Sequence, residues 1–155
     1  MRACFYDTWA FLALSNASDP AHAIAVEADA ALERDGWVIV TSDYVIDEAV
    51  TGLNAAAGPR VAVRFLDLVD EQIVGEEITL FPIDPARRSK AGQLFRRLAP
   101  QAPKLSFTDC TSLVLMAELK IPVALTADRH FHGAGKNIRP LVSLGARGRL
   151  RLQLP

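Results

Sequence analysis

The sequence has few of the residues that build cross-links or soft-metal sites. Its 155 residues include 2 cysteines and 3 histidines. Cys4 and Cys110 cannot form a disulfide framework, and their apolar neighbours indicate small buried side chains in a reducing compartment. A chain of this length buries roughly 70% of its unfolded surface and therefore folds without a disulfide or a structural zinc.

Long apolar runs are also missing. The longest strongly apolar run is Trp9–Leu14, which is far shorter than the ~20 residues of a membrane-spanning helix. Asp7 interrupts the apolar start of the chain before the apolar region of a secretion signal can form. We therefore expect a cytoplasmic protein with no membrane attachment.

Basic residues are scarce in the first half of the chain, and acidic residues are scarce in the second half. Residues 1–82 contain 4 basic and 14 acidic residues, whereas residues 83–155 contain 13 basic and 4 acidic residues. The formal net charge of −1 conceals this split. The second half is expected to contribute a basic face, which either follows the phosphates of a nucleic acid or is a solvated helix surface. Its main cluster comprises Arg87, Arg88, Lys90, Arg96, Arg97 and Lys104.

Short apolar runs alternate with amphipathic stretches along the chain. Strands are predicted at Ala3–Tyr6, Trp37–Val40, Ile78–Ile83, Val123–Thr126 and Ile138–Val142. Helices are predicted at Trp9–Leu14, Ala21–Arg34, Tyr44–Ala57, Val61–Val74 and Pro85–Leu98, and one more ends at Leu119 and is capped by Thr108 or Asp109. For Ala21–Arg34 the predicted cap is Ser18 or Asp19, with Pro20 at the first helical position. For Tyr44–Ala57 the predicted cap is Ser42 or Asp43. This alternation predicts an α/β fold, a three-layer α/β/α sandwich around a mostly parallel sheet.

The chain is interpreted as one domain over residues 1–143 and a basic extension, residues 144–155, of that same domain. In the extension Arg147, Arg149 and Arg151 alternate with leucines. This period of two is typical of an extra edge strand or of a tail that a partner orders.

Four carboxylates follow or face the predicted strand ends. Asp7 comes directly after the first strand, and Asp128 comes after the fourth. Asp109 begins a buried helix, and Glu48 lies one turn into the helix after the second strand. Ligands of parallel sheets bind at the carboxyl ends of the strands, so these side chains are expected to converge. Converging carboxylates repel one another unless a cation lies between them, and an all-oxygen ligand set favours Mg(II) or Mn(II). For each acid taken alone, the sequence favours a structural role, as a helix cap or a solvated helix position.

These acids stand in four short motifs, at residues 7–14 (DTWAFLAL), 41–48 (TSDYVIDE), 105–113 (LSFTDCTSL) and 124–131 (ALTADRHF). In this order, over about residues 3–142, the motifs resemble those of PIN-domain ribonucleases and, among them, of the VapC-like toxins of toxin–antitoxin pairs. The resemblance implies a metal-dependent endoribonuclease that cuts single-stranded or loop regions of RNA. It also implies a homodimer and a cognate antitoxin that blocks the site.

Carried to the matching positions, the resemblance makes Asp7, Glu48, Asp109 and Asp128 the catalytic and metal-binding residues. Thr8 and Thr126 match positions where the family often has a hydroxyl, which implies supporting roles. The implied cofactor is Mg(II) or Mn(II). Three basic residues near the fourth motif are expected to contact RNA, namely Arg129, Lys136 and Arg139.

Other functions remain open at this point. The chain could be a housekeeping RNA-processing nuclease, or a non-catalytic module that binds RNA or protein. A phosphatase with Asp7 as nucleophile is disfavoured because no glycine-rich phosphate loop is present. His130 and His132 are two residues apart and make a poor metal pair on a helix, although either could assist proton transfer.

Overall fold

A computed structural model describes residues 2–133, 138–145 and 148–155 of the chain. In chain order its elements are β1 (Ala3–Tyr6), α1 (Thr8–Ser15), α2 (His22–Arg34), β2 (Val38–Ser42), α3 (Asp43–Ala57), α4 (Pro59–Val74), β3 (Ile78–Phe81), α5 (Pro85–Leu98), a short 3-10 helix (Ala99–Gln101), α6 (Phe107–Leu119), β4 (Val123–Leu125), α7 (His130–Gly133), β5 (Arg139–Pro140), β6 (Val142–Leu144) and β7 (Leu150–Leu152).

The main sheet is parallel throughout and has the strand order β3-β2-β1-β4-β5. The chain moves outward from β1 to β2 and β3, then returns to the other side of β1 with β4. Helices α1 to α4 pack on one another, and α5 packs on α6 in the crossover that leads to β4. Right-handed crossovers place these two groups of helices on opposite faces of the sheet. The predicted three-layer α/β/α architecture is confirmed.

The core is centred on β1. Cys4, Phe5 and Tyr6 are at most 1% exposed, because strands on both sides and helices on both faces cover them. A central parallel strand is buried on both faces, so its sequence is an unbroken apolar run and does not alternate. Cys110 is also buried, and neither cysteine is in a disulfide.

The C-terminal segment forms a separate small sheet. β6 and β7 pair antiparallel, and Leu150 packs against the small residues Ala13, Ala21 and Ala25 of the α1–α2 region. The period-two pattern therefore does mark a strand, but this strand is not an edge of the main sheet. The single strand predicted at Ile138–Val142 is wrong in extent, because the chain divides there into β5 and β6. Pro140 has no N–H to donate, which suits its place in the edge strand β5.

Two predicted helix starts are wrong. For α6 the N-cap is Ser106, whose hydroxyl accepts from the N–H of Asp109 at 3.0 Å. The Asp109 carboxylate in turn accepts from the N–H of Ser106 at 2.7 Å, so the two residues form a capping box. Helix α2 begins at His22, after a turn in which Asp19 accepts from the N–H of Ala21 at 2.8 Å. Of the two caps predicted for α3, Ser42 and Asp43, the N-cap is Ser42, and Asp43 is the first residue of the helix.

Among the described residues, no helix combines the length and the apolar character needed to cross a bilayer.

Candidate metal centre

Asp7 and Asp128 lie on either side of the point where the strand order reverses. Asp7 directly follows β1, and Asp128 comes shortly after the neighbouring strand β4. The hydroxyl of Thr126, a fully buried residue, donates to Oδ2 of Asp7 at 2.9 Å and accepts from the N–H of Asp128 at 3.0 Å. One hydroxyl therefore positions both acidic segments at the crevice where ligands of such sheets bind.

The Asp7 carboxyl is buried, but its hydrogen bonds do not satisfy both of its oxygens. Its residue is 3% exposed, and within the described part of the chain Oδ1 has no hydrogen-bond partner. Burial, with a smaller contribution from the negative charges of Asp109 and Asp128, raises the pKa of Asp7 to about 7. The hydrogen bond from Thr126 opposes this rise. A buried carboxylate with a spare oxygen lacks a positive partner, which a bound cation can supply.

Asp109 reaches the same place from the other side of the fold. It is 6% exposed at the third position of α6, where the capping box with Ser106 fixes its side chain. Burial raises the pKa of Asp109, and the negative charges of Asp128 and Glu48 act in the same direction. The hydrogen bonds with Ser106 lower it in part. The capping role and a ligand role are compatible, since the carboxylate has two oxygens.

His130 completes a compact group with two of the acids. Its Nδ1 lies 2.9 Å from Oδ1 of Asp128 and 3.8 Å from Oδ2 of Asp109. The shorter contact lacks the angle of a hydrogen bond, so this buried nitrogen has no hydrogen-bond partner among the described residues. Asp109, Asp128 and His130 each offer an atom within 4.8 Å of the others, a spacing that suits one metal ion.

The sequence pattern alone did not single out His130 as a candidate ligand, because this residue was considered beside His132. The informative signal was its position two residues after Asp128. The N–H of His130 donates to Oδ1 of Asp128 at 2.8 Å, and this turn brings the ring back to the acid.

Glu48 faces the cluster from α3. Its Oε2 accepts from the hydroxyl of Thr8 at 2.6 Å, and Thr8 is the residue after Asp7. Its charge contributes to the raised pKa of Asp109. The structure thus places all four predicted acids, and both predicted hydroxyls, at one end of the sheet.

The predicted RNA-contacting residues are not all in the same place. Arg129 is exposed next to Asp128. Arg139 pairs with Val123 at the amino end of β4, so it lies at the opposite end of the sheet from Asp128. Lys136 lies outside the described residues. Within the basic cluster on α5, Arg87 pairs with Glu118 of α6 at 2.7 Å, so this cation also joins two helices.

The donor set fits a divalent metal ion. Carboxylate oxygens are the ligands that hard cations such as Mg(II) and Mn(II) prefer, and an imidazole is a ligand that transition-metal ions also accept. Asp109, Asp128 and His130 would form the nearest contacts. Asp7 brings a buried oxygen with no hydrogen-bond partner, and Glu48 brings further negative charge.

The fold and the site together define a class of protein, a parallel α/β domain with an acidic cluster at its topological switch point. The family profile of the PIN domain matches residues 4–137. The chain therefore belongs to the PIN domain family, as its four motifs indicated.

Solved structures with the same fold are VapC toxins and VapBC complexes, so the chain is VapC-like. Mycobacterium tuberculosis VapC20, described as a sarcin–ricin loop cleaving toxin, is 27% identical with a TM-score of 0.72, and the match covers 88% of this chain and 99% of that chain. VapBC2 from Rickettsia felis, bound to a DNA fragment from its promoter, is 13% identical with a TM-score of 0.60, covering 88% and 95%. DNA-bound VapBC from Salmonella typhimurium is 18% identical with a TM-score of 0.59, covering 90% and 97%. The comparison with curated proteins gives no match.

Proposed function

We propose that this chain is a metal-dependent endoribonuclease and the toxin of a toxin–antitoxin pair. The observation that carries the proposal is the group of Asp109, Asp128 and His130, whose ligand atoms lie within 4.8 Å of one another beside the buried Asp7. Membership in the PIN domain family supports a nuclease. The similarity to VapC20, described as a sarcin–ricin loop cleaving toxin, supports RNA as the substrate.

Asp7, Glu48, Asp109 and Asp128 would hold Mg(II) or Mn(II), together with the ring of His130 beside the last two acids. When bound, such an ion supplies Lewis acidity and a bound water of lowered pKa for in-line attack on a phosphodiester. The four carboxylates confine the negative charge to one place, so that the scissile phosphate is attracted only when the cluster is neutralised.

The neighbouring hydroxyls orient these acids. Thr126 fixes Oδ2 of Asp7 and leaves Oδ1 free, and Thr8 fixes one oxygen of Glu48. Hydrogen bonds of this kind typically change metal affinity or activity by roughly 10–100-fold when they are removed. Arg129, next to Asp128, is placed to contact a phosphate beside the cleaved bond. Lys136 and Arg139 stay proposed RNA contacts, and Arg139, at the amino end of β4, would meet only RNA that lies away from the cleaved bond.

A protein partner belongs to the same proposal. Two of the similar structures are VapBC complexes, which supports a cognate antitoxin, and we propose that the toxin itself is a homodimer. Helix α4 carries exposed apolar side chains of the kind that such interfaces cover, with Val63 at 57% and Leu68 at 46% exposure.

The proposal is tested by cleavage of a mixed cellular RNA pool with Mg(II), with Mn(II) and with a chelator. Asp7→Asn is expected to bind metal weakly and to yield no fragments. Asp35→Asn, an exposed acid at the end of α2, serves as the matched control and should cleave like the wild type. Metal-independent cleavage, or full activity of Asp7→Asn, would refute the assignment.

Two further results separate the alternatives. RNA binding without cleavage, in protein that has bound metal, would favour a non-catalytic module. Cleavage that the protein encoded beside this gene does not inhibit would favour a housekeeping nuclease. Sedimentation of the chain alone and with that neighbour measures both the proposed homodimer and the proposed complex.

A further inference from the structure

A groove of about 440 Å³ opens beside the acidic cluster. Its volume falls in the range of about 300–1,000 Å³ that small-molecule sites occupy. Residues that line it include Leu98, Ala102, Lys104, Leu105, Arg129 and His130.

The groove is built from the two chain segments that carry the site acids. One wall is formed by Leu98 and residues 101–105, and it leads directly into the capping box of Ser106 and Asp109. The other wall is Arg129 and His130, which follow Asp128 immediately. Because His130 belongs both to the groove and to the candidate metal group, the two sites share a boundary. A molecule whose phosphate lies at the acids therefore has its next unit at this groove.

The lining suits a flat ring on an anionic chain. Leu98 and Ala102 are half-buried and Leu105 is buried, so they offer apolar surface. Lys104 and Arg129 are exposed at the rim, and neither forms an ion pair with an acid in the described part of the chain. Among the described residues, no carboxylate lines the groove. Arginine also stacks on aromatic faces, which makes Arg129 a platform for a base as well as a contact for a phosphate.

We propose that this groove binds the base of the nucleotide next to the cleaved phosphodiester, with Lys104 and Arg129 on the flanking phosphate. This inference rests on the proposed nuclease function and names a substrate subsite within it. A base can enter only when it is unstacked, so the groove selects single-stranded or loop RNA over a duplex. Gln101, also in the lining, brings an amide that can hydrogen-bond a base edge.

Binding is measured first without catalysis. Amide chemical shifts of the isotope-labelled protein are followed while uridine or adenosine 5′-monophosphate is added in the presence of a chelator. Saturable shifts are expected at Ala102, Lys104 and Leu105. Inorganic phosphate is the parallel probe, and it should shift the amides near Lys104 and Arg129 but leave Ala102 unmoved. Shifts confined to other surfaces would overturn the proposal.

Filling the groove is the second test. Ala102→Trp should abolish the nucleotide-induced shifts. It should also lower kcat/KM for RNA roughly tenfold or more, because one stacked base is lost. The base preferred beside the cleaved bond should change as well. Lys104→Glu, at an exposed site where folding is not at risk, should raise KM severalfold. Lys120→Glu, at the exposed lysine that follows α6 and lies outside the groove, is its control and should leave KM unchanged.

The outcomes distinguish this inference from the proposed function. If Ala102→Trp and Lys104→Glu cleave RNA with wild-type rate and preference while Asp7→Asn is inactive, the groove proposal is wrong and the nuclease stands. If nucleotides bind in the groove but the wild type cleaves no RNA, the groove stands as a nucleotide site and the nuclease assignment fails.

Discussion

The two ends of the parallel sheet differ sharply in what they bury. At the carboxyl end, polar side chains are buried at or just after three neighbouring strands, with Asp7 after β1, Ser42 ending β2 and Thr126 after β4. At the amino end, the strands are preceded and covered by apolar groups such as Trp37 and Ile121, which pack against the core. The amino end of the sheet is thus closed by apolar packing, and the carboxyl end is a polar crevice.

Because of this difference, the two ends of the sheet should respond differently to substitution. A buried polar group lowers stability unless it is hydrogen-bonded, and a buried unpaired charge lowers it more. The carboxyl end carries both the spare oxygen of Asp7 and the mutual repulsion of Asp7, Asp109 and Asp128. The amino end has no comparable buried acid among the described residues. Substitutions at the carboxyl end should therefore change activity strongly, and substitutions at the amino end should change stability alone.

After the complete loss of cleavage expected for Asp7→Asn, the largest effect on activity is expected for Glu48→Gln. Removing this charge from the acidic cluster should lower RNA cleavage roughly a hundredfold, because metal binding loses a carboxylate. Asp47→Asn is the matched control, since Asp47 is the exposed neighbour on the same helix. Single-turnover cleavage rates of the two variants measure the contrast, and equal rates would mean that Glu48 takes no part in the site.

The next effect is a pH-dependent stabilisation by Asp7→Asn in metal-free protein. The pKa of Asp7 is raised from 3.8 to about 7 in the folded state. Between these values the folded protein retains a proton that the unfolded chain releases, so the free energy of unfolding falls as pH rises through this window. Asp7→Asn removes this pH-dependent loss of stability. Its free energy of unfolding should exceed that of the wild type by a few kcal/mol above pH 7 and by little below pH 4. Urea unfolding with a chelator across this range measures it, and a pH-independent difference would contradict the burial argument.

A smaller effect is expected for Thr126→Val, which keeps the shape and removes the hydroxyl. Asp7 loses a donor and the N–H of Asp128 loses its acceptor. Activity should fall roughly 10–100-fold, and the pKa of Asp7 should rise further, which moves metal binding to higher pH. Calorimetric metal titrations at several pH values report this shift. Thr126→Ser, which restores the hydroxyl, should recover most of both losses, whereas a purely structural role would leave the pH dependence unmoved.

The smallest effect belongs to the amino end. Lys120 ends α6 with a φ of 55°, in the left-handed region that favours glycine. Lys120→Gly should raise the free energy of unfolding by about 0.5–1 kcal/mol, because it relieves this conformation just before β4. Cleavage should be unchanged, since no site residue is touched. A loss of activity would break the proposed separation between the two ends.

Much of the architecture was predictable from local pattern. The apolar runs and helix signals predicted a parallel α/β fold, and Ser42 and Pro85 marked helix starts correctly. The errors arose where two local signals competed. Thr108 and Asp109 are both good caps in isolation, but Ser106 takes the cap and uses Asp109 as its reciprocal partner. Only the packing of α6 decides which of three neighbouring polar residues sits at the helix end.

In the candidate site, too, local pattern predicted some positions and the packing of the chain decided others. Asp7 and Asp128 could be placed together because each follows a strand in a sheet whose strands run the same way. Arg139 is close to Asp128 along the chain but lies at the other end of the sheet, because the chain must return to the amino end before it can form the parallel strand β5. His130 lies among the acids for a local reason, the tight turn after Asp128.

The sequence by itself determined the fold class, the acidic residues at the strand ends and the excess of basic residues in the second half, because these depend on local pattern and composition. The tertiary structure alone decided which acids share one crevice and that a groove opens beside them. Those features depend on strand order and on contacts such as that between Thr126 and Asp7, which are 119 residues apart in the chain. No local pattern encodes contacts at such a separation, since they arise only when the strands have found their neighbours.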